Sequence, residues 1–221
     1  MSGFKLSVLL VSVVLISCGV ALSDHAEIQT KERGFALPAT QRSLVLLKNN
    51  LSILPVTDLA HIKNVVFVSD ANNIDIERGS RVTSFSNSIQ ESVQTLLGRA
   101  VNYYTVNKTR NNLPHAGLTG SNTLLIAVIA EQPDIDPSEL ELPFSAAEQK
   151  VIASLRNRGV KTITIVFTNG PEITSGPTAD NRHSFPLNNS DVVIAAFLPG
   201  SPAGQVIADA IFGRYLFESG A

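Results

Sequence analysis

Short apolar runs recur along the chain, each closed by polar, proline or glycine residues: 65–68, 101–106, 123–130, 162–167 and 192–197. They are too short for helices and rich in β-branched residues, and most are apolar throughout rather than alternating. That is the pattern of strands buried on both faces. Between them the period changes to that of a helix. Val82, Phe85, Ile89, Val93, Leu96 and Leu97 form one stripe, closed by Gly98. Val151, Ile152 and Leu155 form a second within 143–158, opened by a Ser145/Glu148 capping box and stopped by Gly159. Val206, Ile207, Ala210 and Ile211 form a third, ended by Gly213. A further helix is expected over 38–48, with Pro38 in its first turn, Leu44, Leu47 and Val45 toward the core, and Asn49-Asn50 ending it. Residues 53–55 follow as an extended segment, and 110–121 and 176–189 are expected as loops.

Strands alternating with helices specify an α/β fold. The expectation is a flavodoxin-like three-layer sandwich, its sheet mostly parallel, with helices on both faces and right-handed crossovers. Ligands of such sheets bind outside the carboxyl ends of the strands. The last unit is the clearest: strand 192–197, a turn broken by Pro199, Gly200 and Pro202, then a helix from Ala203. Its turn is delivered to that edge.

This last unit, AAFLPGSPAGQVIADAIFGRY, resembles the final strand, turn and helix of the C-terminal α/β domain of glycoside hydrolase family 3. The segment ATQRSLVLLKNNLSILPV (39–56) resembles the family's passage from its catalytic barrel into that domain. The two stretches stand in the family's order and bracket the βα pattern. The expected organisation is a leader over 1–23, a linker over 24–37 and the family 3 C-terminal-like domain over 38–221.

The leader is read from Lys5, the apolar run 6–16 and small residues at Ser17, Gly19, Ala21 and Ser23. It implies a secreted protein. The alternatives are a retained anchor, or a lipid anchor on Cys18, because Leu15-Ile16-Ser17-Cys18 resembles a lipobox. Cys18 is the only cysteine, so the remaining chain holds no disulfide. Sequons at Asn50, Asn107 and Asn188 fit a secretory route. The net charge of -2, with no basic patch, excludes a nucleic-acid binder.

Cleaving a glycosidic bond needs two carboxyl groups flanking it. The resemblance implies that the nucleophilic Asp lies in a separate (β/α)8 barrel of ~250 residues, for which these 221 residues have no room. In some members the C-terminal domain supplies the acid/base Glu from the loop after its third strand. Here that loop is Glu131-Gln132-Pro133-Asp134-Ile135-Asp136-Pro137, similar to the family's G-E-x-P-Y-x-E. By position, Glu131 matches the first Glu and Asp136 the second, one methylene shorter. The family's downstream G-D-N or D-R motif is replaced by Ser138-Glu139-Leu140-Glu141. The simpler reading of these residues is a solvated acidic loop. In the β-N-acetylhexosaminidase branch the acid/base stays in the barrel, and this domain is scaffold or partner.

Substrate-facing positions are expected at Asn72, Asn169 and Gly200, in the loops 69–73, 169–172 and 199–204. The histidines His25, His61, His115 and His183 show no metal spacing, and no metal or cofactor is expected. Partners would be carbohydrate or a (β/α)8 barrel domain or chain. The leading function is thus the C-terminal domain of a secreted family 3 glycoside hydrolase, acting on O-glycosyl bonds only together with the barrel. The alternative is a non-catalytic carbohydrate- or protein-binding module; the absence of Trp and the presence of only 3 Tyr weigh against strong sugar stacking. An unrelated nucleotide-binding α/β protein is disfavoured, since no glycine-rich loop follows the first strand.

Overall fold

The computed structural model describes residues 35–69, 80–98, 100–107, 110–111, 113–114, 116–130, 144–168, 188–197, 199–200 and 202–217. The chain divides between Ala39 and Thr40 into two compact units. A helix, α1, runs over residues 35–42. The second unit contains β1 (Leu44–Asn49), β2 (Asn64–Ser69), α2 (Ser80–Leu97), β3 (Asn102–Asn107), β4 (Arg110–Asn111), β5 (Thr123–Ala130), α3 (Ala146–Asn157), β6 (Lys161–Thr168), β7 (Val192–Phe197) and α4 (Ala203–Ile211).

The strands form one 7-stranded sheet in the order β1-β7-β6-β5-β2-β3-β4. Neighbours from β7 through β3 are parallel. β1 closes one edge and β4 the other, both antiparallel. Taken in chain order, the parallel strands follow the flavodoxin arrangement, whose switch point lies between the first strand and the third. Here those are β2 and β5, paired from Asn64↔Thr123 to Ser69↔Val128.

Side chains alternate across a strand, so each strand feeds two layers. On one face Val66, Val68, Leu125, Ala127, Ile129, Val166, Val193 and Ala195 pack with Ile152 and Leu155 of α3. On the other, Val65, Phe67, Ile126, Ile165 and Ile194 are equally buried. The remaining long helices, α2 and α4, pack against each other and bury Ile89, Val93, Val206, Ile207 and Ile211. The α3 capping box is complete. The Glu148 N–H donates to Ser145 Oγ at 3.3 Å, and the Ser145 N–H donates to Glu148 Oε2 at 2.7 Å.

Two expectations are corrected. The helix expected over 38–48 ends at residue 42, and Leu44–Asn49 is a strand pairing antiparallel with β7. Without β1 the open side of β7 would leave a row of backbone donors and acceptors unpaired, and pairing outweighs local helix propensity. The register shifts between Leu46 and Lys48, so a bulge breaks the alternation that would mark a strand. The expected loop 110–121 likewise contains β4, too short to read from sequence.

The amino edge of the sheet is fastened by side chains. Asn102 Nδ2 donates to Asn64 Oδ1 at 3.2 Å, and Asn64 Nδ2 to Thr123 Oγ1 at 3.5 Å. The Thr162 N–H donates to Asp191 Oδ2 at 2.9 Å, while the Asp191 N–H donates to the Thr162 carbonyl at 2.9 Å. Asp191 is therefore a structural residue.

Candidate functional site at the carboxyl edge of the sheet

β2, β5, β6 and β7 are parallel neighbours, so Ser69, Ala130, Thr168 and Phe197 all end at one edge. Register fixes their relation: Ala130 lies opposite Phe167, and Thr168 opposite Phe197. The loops singled out in the sequence leave from these ends. Ser69 precedes the stretch holding Asn72, Ala130 directly precedes Glu131, and Thr168 directly precedes Asn169. Asn72, Glu131, Asp136 and Asn169 themselves lie outside the described residues.

Gly200 is described. It is exposed, with φ +71, in the turn after β7. Its carbonyl accepts the Ala203 N–H at 3.3 Å and so opens α4. The turn is fixed by Thr40 and Ser43, neither of which was a site candidate in the sequence. Buried Thr40 donates its hydroxyl to the Pro199 carbonyl. The Ser43 hydroxyl donates to the Thr40 carbonyl at 2.8 Å, and the Ser43 carbonyl accepts the Phe197 N–H at 2.9 Å. The signal available was a Thr in the last turn of a helix, where a buried hydroxyl needs a partner. The second glycine of the turn, Gly204, lets α4 touch α2: a Cβ there would stand 2.2 Å from Ser88 Oγ.

The other candidates map elsewhere. Asn50 and Asn188 are exposed and flank the amino edge, Asn50 just past the end of β1 and Asn188 shortly before β7. Asn107 is the last residue of β3. His61 is a surface residue, 2.7 Å from the Asp58 carboxylate. Among the described residues no group of three His, Cys, Asp or Glu side chains is arranged to hold a metal ion. Nor is any described helix long and apolar enough to cross a membrane. A shallow depression of about 520 Å³ lies beside the carboxyl-terminal turn of α2, lined by Glu91, Gln94, Thr95, Gly98, Val101 and Tyr103. Among the described residues that line it there is no sequence-predicted site residue. Tyr103 donates its hydroxyl to the Gly98 carbonyl at 2.9 Å, and burial pushes its phenol above the ordinary value of 10.0.

Comparison with known proteins gives this edge its context. The model of the glycosyl hydrolase family 3 C-terminal domain matches residues 44–219. The chain belongs to that family. Over 207 residues this family 3 domain is 25% identical to the probable beta-D-xylosidase 7 of Arabidopsis thaliana, a match covering 88% of this chain and 26% of the plant protein. Among solved structures, a beta-D-glucoside glucohydrolase from Trichoderma reesei superposes with a TM-score of 0.55 at 14% identity, covering 83% of this chain and 29% of that one. A beta-glucosidase from Listeria innocua, solved with isofagomine, gives a TM-score of 0.51 at 17% identity, covering 84% and 26%. At such identities the structural likeness bears on the fold alone. The chain spans about a quarter of the length of the proteins it matches. In this family 3 domain Gly200 turns the chain after β7 and Gly204 seats α4 on α2.

Proposed function

We propose that this family 3 domain forms one wall of a site that cleaves β-glycosides, its carboxyl edge facing a (β/α)8 barrel that carries the nucleophile. The barrel lies in the same polypeptide or in a partner chain. Asp136, with Glu131 beside the end of β5, is the candidate proton donor to the glycosidic oxygen. Asn72, Asn169 and Gly200 are the candidate sugar contacts. The substrate class is β-linked glucose or xylose, the sugars in the names of the matched enzymes. Residues 1–23 export the protein, and the three sequons are its glycan acceptors.

One observation carries this proposal: β2 and β5 are adjacent parallel strands, and the loops bearing Asn72, Glu131 and Asp136 follow their carboxyl ends at the topological switch point. A retaining or inverting mechanism needs a second carboxylate across the bond. The barrel supplies it, so the 221-residue chain by itself binds sugar weakly at most and does not hydrolyse it. The test is hydrolysis of aryl β-glucosides and β-xylosides by the purified chain. No turnover is expected. Turnover that disappears in both Glu131→Ala and Asp136→Ala would refute the need for a barrel.

A further inference from the structure

Asn49 and Asn50 are neighbours in sequence but not in role. The Asn49 side chain is consumed: Nδ2 donates to the Leu54 carbonyl at 3.1 Å, and Oδ1 accepts the Leu54 N–H at 3.0 Å. The Asn50 side chain is exposed and makes no hydrogen bond to a described residue; only its backbone is engaged, the N–H by the Asp191 carbonyl at 2.9 Å and the carbonyl by the Ile53 N–H at 3.3 Å. Asn50-Leu51-Ser52 is a complete sequon, and Ser52 is exposed too. The segment is a tight turn in which Leu51 and Ser52 have φ of 54 and 51. Leu51 is 89% exposed, an unusual position for a large aliphatic side chain.

The sequon at Asn188 differs. Asn188 is exposed, but the hydroxyl its sequon requires is locked in the fold. Ser190 is 1% exposed, and its Oγ lies 2.5 Å from Thr164 Oγ1 in β6. Asn189, between them, accepts from Arg156 Nη1 at 3.4 Å. Once β6 and β7 have paired, this tripeptide is no longer a substrate for modification. Asn50 stays available before and after folding.

Among the described residues β1 is also an edge of the sheet, paired with β7 alone. Val45 on β1 is 42% exposed, and Leu51 follows the strand's end. Unpaired strand edges with apolar side chains promote association unless they are covered or charged.

We propose that Asn50 is an N-glycosylation site of the folded domain and that its glycan covers the sheet edge at β1. The step is a group transfer. Asn50 Nδ2 attacks the anomeric carbon of an oligosaccharide carried on a lipid diphosphate. The C–N bond forms, the C–O bond to the phosphate breaks, the lipid diphosphate leaves, and the amide gives up a proton. This rests on the secretory reading of residues 1–23. It also leaves the edge that bears the candidate site free of that glycan, because β1 runs antiparallel and ends at the opposite side of the sheet.

The test is expression of the full chain in a eukaryotic secretory host, with glycan occupancy read at each sequon by mass spectrometry. Near-complete occupancy is expected at Asn50 and partial occupancy at Asn188. A folding-impaired variant, Gly204→Ala, raises occupancy at Asn188 and leaves Asn50 unchanged. Asn50→Gln lowers the yield of soluble secreted protein several-fold. Adding Leu51→Asn, which removes the apolar side chain without restoring a sequon, recovers it. A secreted chain with bare Asn50 overturns the site. Glycosylated Asn50 with undiminished yield from Asn50→Gln overturns the covering role. If the native leader fails to export the chain, the secretory reading falls, and the same measurement behind a foreign leader still decides Asn50.

Discussion

Gly204 at the start of α4 lies directly against Ser88 of α2. A methyl group on its α-carbon would stand 2.2 Å from Ser88 Oγ and 2.4 Å from the Ser88 carbonyl carbon. Because backbone is among the obstructing atoms, the helices must move apart to admit a side chain. Gly204→Ala is expected to cost about 1–3 kcal/mol, the usual range for overpacking. Gly200, in the same turn, differs. Its φ is +71, but a methyl group there would meet its nearest atoms only at 3.9 Å. Gly200→Ala is expected to cost only the left-handed backbone, about 1–2 kcal/mol. Urea midpoints at constant slope measure both.

Thr40 ties the segment that enters the domain to the turn after β7. Thr40→Val keeps the shape but leaves the buried Pro199 carbonyl without its donor. A loss of about 1–3 kcal/mol is expected, with most of it recovered in Thr40→Ser. Equal stability of the valine and serine variants would show that the hydroxyl is dispensable.

The Ser145 cap makes a local prediction. Ser145→Ala removes the acceptor of the Glu148 N–H and should cost about 0.5–2 kcal/mol. Thr at the same position retains most of the stability. Hydrogen exchange of the first turn of α3 should accelerate in the alanine variant while β5 and β6 stay protected.

Tyr103 makes the stability of the domain depend on pH in the alkaline range. Burial raises its phenol above 10.0, so the folded state holds the proton more tightly than the unfolded chain. Its stabilising contribution is complete below pH 10.0 and is lost as pH rises through the higher folded value. Tyr103→Phe should flatten that alkaline decline in unfolding free energy. It should also remove one late component from the phenolate absorbance titration.

The strands most legible from sequence were β5 and β7, whose observed limits, Thr123–Ala130 and Val192–Phe197, coincide with uninterrupted apolar runs. Both are central or covered, so burial on two faces writes itself into composition. The α3 capping box was equally readable, because its partners are three residues apart. β1 was not. Its Leu44 and Leu47 fall at helical spacing directly after a helix, and a bulge hides the alternation. What makes it a strand is β7, far away in sequence. The candidate site follows the same division. Strand ends told where the loops start, and the sheet order then brought the roots of the Asn72 and Glu131 loops together. The Thr40–Pro199 bond joins residues too distant in sequence for any local pattern to announce it.

The most direct test of the central claim, that this domain works against a barrel, is the intact mass of the protein isolated from its native source, together with the mass of the particle it forms under native conditions. The expected result is a polypeptide longer than 221 residues that carries the barrel, or a stable complex with a barrel-bearing chain. Isolation of the domain as a free monomer, with no larger polypeptide and no partner, would contradict the claim.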